Sequence, residues 1–382
     1  MKSNYVCPRC GNKDERYIGY INGKPYCRKC INFNGHRAKD THIVSSNTKL
    51  FLDYELSKDQ NEISTKTYEA ISNNKNVLIY AVTGAGKTEL VYKSIEHILK
   101  IGGNVGFAIP RRDVVIDLYP RIKDAFKNNS VTLVYGGNSK VLESDIVLLT
   151  THQLYRYEHY FDLLIVDEID AFPFKNDDTL MHFLKSSLRG NYIFLTATPT
   201  KEDIKNIKKD NGVVLTLFSR YHRHPLPEPI FIKPELNLYL TCKNELKSLL
   251  KEHKQVFIFV PTIKIGESLF RFLSFFFKGG KEVDSTKEDR NKIVKDFKDK
   301  KLNYLVTTAI LERGVTVRDL QVIVFKSDHP LYTKEMLIQI AGRVGRKKDC
   351  PDGKVIFIGE HYNETNRNAI EEIKRINKKA NL

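Results

Sequence analysis

From about residue 50 onward, short apolar runs alternate with segments of helical periodicity. The runs are rich in valine and isoleucine, which suits strands buried on both faces of a parallel sheet, and the helical segments between them complete βαβ units. In chain order the first runs are NVLIY, NVGFAIP, VTLVY, DIVLLTT, DLLIVDE, NYIFLTATP and GVVLTLF. This alternation predicts an α/β lobe.

A proline-rich stretch at 222–236, HRHPLPEPIFIKPEL, interrupts the alternation. Its prolines disfavour a long helix or a central strand, so we interpret it as a connection between two lobes. The pattern then restarts with QVFIFVPT, LNYLVTTA, QVIVFKS and KVIFIGE, and ends in a helix over NRNAIEEIKRINKKA. The predicted domains are a small module at 1–49, a lobe at 50–221, a connection at 222–238 and a lobe at 239–382.

Composition limits the location and the partners of the chain. Of 382 residues, 41% are hydrophobic, and no apolar run approaches the roughly 20 residues that span a bilayer. The start, MKSNYVCPRC, lacks the apolar core of a signal peptide, so we expect a cytoplasmic protein without a transmembrane segment. The net charge of +16 favours a polyanionic partner, although a lysine-rich protein can be basic without binding one.

The segment AVTGAGKT follows the apolar run VLIY and precedes a helical segment. Two glycines give a loop the freedom to wrap phosphates with backbone N–H groups, and the next helix adds its dipole. We predict that Lys87 meets the outer phosphates and that the Thr88 hydroxyl binds Mg²⁺. The predicted ATP-binding residues of this loop are Thr83, Gly84, Ala85, Gly86, Lys87 and Thr88.

DEID at 167–170 follows the apolar run LLIV. An acid at the carboxyl end of a buried strand can hold the magnesium that bridges the phosphates, which we assign to Asp167. Glu168 is then the candidate that positions or deprotonates the attacking water, and Asp170 is a structural or signalling residue. In TATP, Thr196 and Thr198 can hydrogen-bond to these carboxylates, although a plain strand-to-turn junction also fits.

Further candidates lie before and between these motifs. Gln60 begins a helix upstream of the glycine loop, and its amide can pair with an adenine edge or simply face solvent. Other side chains fall just past predicted strand ends, where open α/β sheets bind ligands, and can meet a nucleic-acid backbone. In the first lobe these are Arg111, Arg112, Thr150 and Thr151.

The second lobe carries QIAGRVGR at 339–346. Arg343 and Arg346 are three residues apart, which predicts one face of a helical segment, and a guanidinium there can stabilise charge on the γ-phosphate. Gln339 shares that face and is a candidate nucleotide contact. In TTAILERGVT, Gly314 permits a close approach of the polypeptide backbone to a ligand, and Glu312 with Arg313 can couple the nucleotide to the nucleic-acid strand. Candidate backbone contacts are Thr262, Thr307 and Thr308.

Four cysteines form a CxxC…CxxC pattern with a sixteen-residue spacer. The pattern is typical of one structural, tetrahedral Zn²⁺ held by Cys7, Cys10, Cys27 and Cys30. A redox dithiol or two disulfides fit a cytosolic chain less well. Ten Lys or Arg face three Asp or Glu in residues 1–49, so the module serves either as a structural staple or as a binding surface for nucleic acid or a partner. His36 and His42 are more readily surface residues than spare ligands.

Together the motifs resemble the late-competence helicase family ComFA of Gram-positive bacteria, within superfamily 2. The general helicase motifs cover 60–346, and the more specific ones are the four-cysteine module, DEIDAFPF at 167–174, RYHRHPLPEP at 220–229 and TTAILERGVT at 307–316. Ala81 departs from the usual glycine, as superfamily 2 helicases commonly do. The resemblance implies two tandem RecA-like lobes preceded by a zinc module, with ATP, Mg²⁺ and one Zn²⁺ as cofactors.

The resemblance also implies a biological task. It is that of an ATP-driven translocase or helicase on single-stranded DNA, which drives or handles internalised DNA during natural transformation. The implied partners are the membrane DNA-uptake channel and other late-competence proteins, with a cytoplasmic location that includes the inner face of the membrane. Alternatives are a primosomal helicase resembling PriA, an RNA helicase, and a zinc-containing DNA-binding adaptor with a degenerate ATPase. The amino-terminal position of the cysteines argues against PriA, and the intact motifs argue against the adaptor.

Overall fold

A computed structural model of the chain describes residues 5–31, 33, 35–39, 47–169, 177–284, 286–287, 289–308 and 317–380. The chain divides into two compact units, one formed by Met1–Ala81 with Gly86–Leu217 and the other by Val82–Ala85 with Phe218–Leu382. Each unit carries one parallel sheet flanked by helices, as the alternation of apolar runs predicts. The fold class of two α/β lobes is therefore confirmed.

In the first lobe the apolar runs become strands because their side chains are buried on both faces of the sheet. A small hairpin comes first, formed by β1 (Ile18–Ile21) and β2 (Lys24–Cys27). The strands of the large sheet are β3 (Val77–Ala81), β4 (Val105–Ile109), β5 (Val131–Val134), β6 (Ile146–Thr150), β7 (Phe161–Asp167), β8 (Leu188–Thr196) and β9 (Val213–Leu217). The helices are α1 (Lys58–Ser72), α2 (Tyr92–Lys100), α3 (Arg112–Ala125), α4 (Asp178–Ser187) and α5 (Lys201–Lys209).

The first sheet has the order β5-β6-β4-β7-β8-β3-β9, and neighbouring strands run parallel. Since the strands are parallel, their carboxyl ends meet at one edge of the sheet. The hairpin of β1 and β2 turns at Asn22 and Gly23, whose φ angles of 50° and 75° suit a two-residue hairpin turn.

The second lobe repeats the design. Its strands are β10 (Ile230–Ile232), β11 (Gln255–Phe259), β12 (Gly280–Val283), β13 (Tyr304–Thr307), β14 (Leu320–Phe325) and β15 (Val355–Ile358). Its helices are α6 (Leu238–Lys251), α7 (Ile263–Ser274), α8 (Arg290–Lys298), α9 (Lys334–Ala341) and α10 (Glu364–Lys379). The sheet order is β10-β15-β14-β11-β13-β12, again parallel throughout.

The proline-rich stretch contributes to this second sheet. Within 222–238, which we predicted to be a connection, β10 pairs with β15 at the sheet edge. An edge position tolerates the flanking prolines because only one side of the strand needs hydrogen-bond partners. Among the helices of the described residues, none is long and apolar enough to cross a membrane.

Candidate nucleotide site and cysteine cluster

The glycine-rich motif AVTGAGKT and the acidic motif DEID lie near each other at the carboxyl edge of the first sheet. Strand β8 lies between β3, which leads into the glycine loop, and β7, which ends at Asp167. In the register, Tyr80 pairs with Thr196 and Asp167 pairs with Leu195. Neighbouring strands are about 4.8 Å apart, so the glycine loop and the acidic motif begin roughly 10 Å apart, with the TATP strand between them.

The glycine loop has the backbone geometry that its glycines permit. Gly84 and Gly86 have φ angles of 84° and 76°, a region that strains other residues. A Cβ added at Gly86 would clash with Nε2 of Gln60, so the Gln60 amide approaches the loop closely at this glycine. The Lys87 ammonium donates to the carbonyl oxygen of Ala81 at 3.2 Å, which places the cation back over the loop.

Gln60 is buried and takes part in the start of α1. Its backbone N–H donates to Oγ of Ser57, and its side-chain Oε1 accepts from the Ser57 N–H at 3.0 Å, forming a capping box. The amide Nε2 faces Gly86 on the other side. The predicted adenine contact stays a prediction, and the structure adds a capping role for the same side chain.

Asp167 and Glu168 adopt a tight local geometry at the end of β7. The backbone N–H of Glu168 donates to Oδ1 of Asp167 at 2.8 Å. Glu168 has a φ of 57°, which costs a non-glycine residue about 1–3 kcal/mol and is typically retained at functional positions. In TATP, the backbone N–H of Thr198 donates to Oγ1 of the buried Thr196 at 3.0 Å.

A buried carboxylate beside the glycine loop escaped the sequence analysis. Oε1 of Glu89 accepts from Nη2 of Arg121 at 2.6 Å and from the Tyr54 hydroxyl at 3.0 Å. Its Oε2 would lie 3.1 Å from a Cβ at Gly86. Burial, followed by the charge of Glu89, raises the pKa of Tyr54 to about 12. The only sequence signal was the position of Glu89 directly after the GKT triplet.

The predicted nucleic-acid contacts of the first lobe come together on two neighbouring strands. Ile109 of β4 pairs with Thr150 of β6, so Arg111, Arg112, Thr150 and Thr151 lie at adjacent strand ends. Arg112 is exposed and stacks over the Tyr135 ring at 4.4 Å, while Arg111 pairs with Asp113 at 3.1 Å. Thr150 and Thr151 are both buried. Their contacts with nucleic acid stay predictions.

The second lobe shows the same arrangement on β11 and β13. Phe259 pairs with Thr307, which brings Thr262 and Thr308 to the same edge. Thr262 caps α7 by accepting from the Ile265 N–H at 3.3 Å. Thr307 is buried, and its hydroxyl donates to the Thr308 carbonyl at 3.1 Å. These contacts with nucleic acid also stay predictions.

The prediction that Arg343 and Arg346 share a helical segment is wrong. Helix α9 contains Gln339 but ends at Ala341, and Gly345, with a φ of 66°, turns the chain before Arg346. Nε of Arg346 nevertheless reaches back to the Gly342 carbonyl at 3.0 Å. Gln339 and Arg343 are both buried, and the predicted roles of all three side chains stay predictions.

The four cysteines converge as their spacing predicts. Their Sγ atoms lie within 4.8 Å of one another, with Cys7 to Cys30 at 3.7 Å and Cys10 to Cys27 at 3.6 Å. Zn–S bonds of about 2.3 Å in a tetrahedron place sulfurs about 3.8 Å apart, so these residues fit a structural zinc. All four thiols are free of disulfides and buried.

The cysteine cluster packs directly on the first lobe, in one shared core. The Phe33 ring lies 5.4 Å from Tyr155 and 5.1 Å from Phe183, measured between ring centroids. Nη1 of Arg156 donates to the His36 carbonyl at 2.8 Å. The module therefore contributes to the core of this lobe.

Some predicted residues lie outside the described residues. They are Asp170 with the remainder of DEIDAFPF, the segment with Glu312, Arg313 and Gly314, and His42.

Two family models match the chain along its two lobes. The model described as type III restriction enzyme, res subunit, matches residues 53–201, and the helicase conserved C-terminal domain matches 241–348. Competence protein ComFA of Bacillus subtilis is 36% identical, over 99% of this chain and 87% of the relative. ComFA of Streptococcus pneumoniae is 38% identical, over 100% of this chain and 92% of the relative. The chain belongs to the ComFA family.

Membership of the ComFA family, with the two domain matches, makes the chain a superfamily 2 ATPase of the helicase type. A solved structure of S. cerevisiae Dbp5 bound to RNA and ADP BeF3 is similar in fold, with a TM-score of 0.62 and 16% identity. That likeness covers 84% of this chain and 91% of the other. The RecA-like character of both lobes, which the family resemblance implies, is confirmed.

Proposed function

We propose that this ATPase is a motor on single-stranded DNA that drives or handles incoming DNA during natural transformation. The observation that carries the proposal is the match, along nearly the whole chain, to two proteins named for competence. The net charge of +16 is consistent with a nucleic-acid partner. Its proposed location is the cytoplasm at the inner face of the membrane, with the uptake channel and other late-competence proteins as partners.

The proposed hydrolytic residues of the first lobe divide the work by position. Lys87 neutralises the outer phosphates, while Thr88 and Asp167 hold the Mg²⁺ that supplies further charge neutralisation when bound. Glu168 orients the attacking water and accepts its proton. The strained backbone of Glu168 supports this role. The hydrogen bond from its backbone N–H to Oδ1 of Asp167 fixes the position of the Glu168 backbone, from which the side chain extends.

The second lobe supplies the proposed response to the nucleotide. Arg343 and Arg346 stabilise charge on the transferred phosphate, and Gln339 contacts the nucleotide or its water. The threonines and arginines at the carboxyl edges of both sheets bind the DNA backbone, which gives affinity without reading base sequence. The cysteine cluster holds one structural zinc.

ATP turnover against three nucleic acids tests the proposal. We expect strong stimulation by single-stranded DNA, weak stimulation by duplex DNA, and less stimulation by RNA than by single-stranded DNA. Equal or greater stimulation by RNA would instead favour an RNA helicase. A wild-type protein that hydrolyses no ATP with any of the three would favour a binding adaptor.

Two variants test the assigned chemistry. Lys87→Ala should abolish nucleotide binding or turnover, whereas Glu168→Gln should keep binding and lose hydrolysis. Glu202→Gln is the matched control, because Glu202 is an exposed carboxylate on α5 of the same lobe. Normal turnover in Glu168→Gln would show that another group positions the water.

A further inference from the structure

Arg220 is a buried cation with unused hydrogen-bond donors. Its side chain is 1% exposed, and Nη1 donates to the Gly345 carbonyl at 2.7 Å. Nε and Nη2 are buried and have no hydrogen-bond partner among the described residues. Arginine is rarely buried unless its charge is paired, because burial removes the hydration of the guanidinium. The residue therefore has two buried donors that lack an acceptor within the described part of the chain.

The unused donors lie on the side of the guanidinium that can hold an anion. Nε–H and the neighbouring Nη2–H point in parallel from one edge, the geometry that binds two oxygens of a phosphate or carboxylate. The remaining nitrogen, Nη1, is fixed by Gly345, so the free edge is already oriented. Nε2 of His222 contacts the same carbonyl at 3.0 Å and helps to hold this corner.

The Arg220 side chain lies next to the glycine loop. The segment Val82–Ala85 belongs to the same compact unit as Arg220. A Cβ added at Gly84 would lie 3.6 Å from Nε and 3.7 Å from Cδ of Arg220, so the side chain passes close to Gly84. The backbone N–H of Tyr221 points to the Gly84 carbonyl at 3.5 Å.

The charges around Arg220 do not compensate its own. Burial lowers the pKa of Arg220 to about 9, and the charge of Arg346 acts in the same direction. The one group that opposes them is Tyr221, and no carboxylate acts on Arg220 in the part of the chain that the structure describes. Two neighbouring cations, one of them fully buried, make a local environment that favours an anion.

We propose that the Nε–Nη2 edge of Arg220 binds a phosphate group of a nucleotide at Val82–Ala85, the part of the glycine loop that belongs to the same compact unit. Arg220 lies in the sequence just before the proline-rich stretch, outside the motifs that we assigned to the nucleotide. The inference rests on the proposed function only in requiring that the loop binds a nucleoside polyphosphate. It adds a phosphate contact from a side chain of the same compact unit as Val82–Ala85.

Equilibrium binding without DNA tests the inference. Dissociation constants for a non-hydrolysable ATP analogue, ADP and adenosine would be measured with Mg²⁺ for wild type, Arg220→Gln and Arg220→Lys. Two charge-assisted hydrogen bonds predict a loss of at least about 100-fold for the polyphosphates in Arg220→Gln. Adenosine should change less than twofold. Arg220→Lys should recover only part of the affinity, because an ammonium lacks the two parallel donors.

Arg223→Gln is the matched control, since Arg223 is exposed and three residues away. Thermal unfolding separates a ligand contact from a structural role. A contact predicts that Arg220→Gln loses the rise in Tm that the ATP analogue gives, whereas a purely structural role lowers Tm without nucleotide and keeps that rise.

Three outcomes would overturn the inference. These are unchanged polyphosphate affinity in both variants, an equal loss for adenosine, and a full rise in Tm with the analogue. If Arg220→Gln does not fold, Arg220→Lys carries the same comparison. A wild-type protein that binds no nucleotide would instead refute the nucleotide chemistry of the proposed function.

Discussion

Truncating Phe33 should destabilise the first lobe, although Phe33 belongs to the cysteine module. The residue follows Cys30 by three positions, and its backbone N–H donates to the Cys30 carbonyl at 3.1 Å. Its ring packs at 58° to Tyr155 and at 72° to Phe183. A zinc that fixes Cys30 would therefore fix a ring that fills part of the core of the lobe.

The magnitude follows from the contacts. Phe→Ala in a full core costs about 3–5 kcal/mol, and Phe33 is only half-buried, so about 2 kcal/mol is expected from burial. The two aromatic pairs, one tilted and one edge-to-face, add about 0.5 kcal/mol each at the low end of their range. A loss of about 3 kcal/mol lowers Tm by about 6–12 °C in a domain of this size.

Scanning calorimetry of wild type and Phe33→Ala, each with zinc and with a strong chelator, measures the coupling. We expect the chelator to lower the first transition of wild type to near that of Phe33→Ala, and to shift the variant little further. Tyr20→Ala is the control, because Tyr20 is an aromatic residue of the same module that is 57% exposed. If the chelator shifts both proteins equally, the module does not stabilise the lobe through Phe33. A wild-type protein that contains no zinc would remove the premise.

Two further predictions concern single side chains. Asn377→Ala should lower the free energy of unfolding of the second lobe by about 2–4 kcal/mol. The Asn377 amide bonds the backbone N–H of the buried Leu226 at 2.8 Å and its carbonyl at 2.9 Å, and the substitution leaves both groups without these partners. Denaturant unfolding measures this loss, and a change below about 0.5 kcal/mol would contradict the prediction. The pKa of Tyr54 is raised from 10.0 to about 12, so the neutral Tyr54 stabilises the fold fully below pH 10 and this contribution is lost as the pH rises from 10 through 12. Tyr54→Phe should therefore lose less stability than wild type between pH 10 and pH 12. Parallel curves of unfolding free energy against pH would refute the assignment.

The sequence was most informative where burial alone decides the structure. The Val- and Ile-rich runs that became β3, β4, β7, β11 and β14 could be recognised because both faces of these strands are buried. Strands β10 and β12 lie at the two edges of the second sheet and carry proline neighbours or the polar sequence GKEV, so neither shows that pattern. Strand order was not predictable, because it depends on pairings between residues far apart in the chain.

The residues of the candidate site also differ in how far the sequence alone identifies them. Cys7, Cys10, Cys27 and Cys30 could be identified from spacing because tetrahedral ligation requires two short turns and little else. The packing of Phe33 on the first lobe depends on side chains far along the chain and left no local pattern. Helix α9 ends at Ala341 with Gly342 as its C-cap, and the positive φ of Gly345 keeps helical geometry from resuming before Arg346. The sequence does not show this, because a glycine is compatible both with a helix interior and with the turn that follows a helix.

Arg220 shows how local chemistry can mislead. An arginine just before a proline-rich stretch, beside Tyr221, His222 and Arg223, is expected to be exposed and solvated. The structure buries it with Nη1 bonded to the Gly345 carbonyl, and Gly345 must be glycine there since a Cβ would clash with the Pro351 carbonyl. The burial of a cation is thus maintained by a backbone constraint, at a cost in stability that a bound phosphate would offset.

The same reasoning applies to Glu168, whose strained φ is held by a hydrogen bond to Asp167. In each lobe, a locally unfavourable residue is kept in place by a neighbour that itself belongs to a predicted nucleotide motif, which is the arrangement expected when selection acts on ligand binding rather than on the stability of the empty protein.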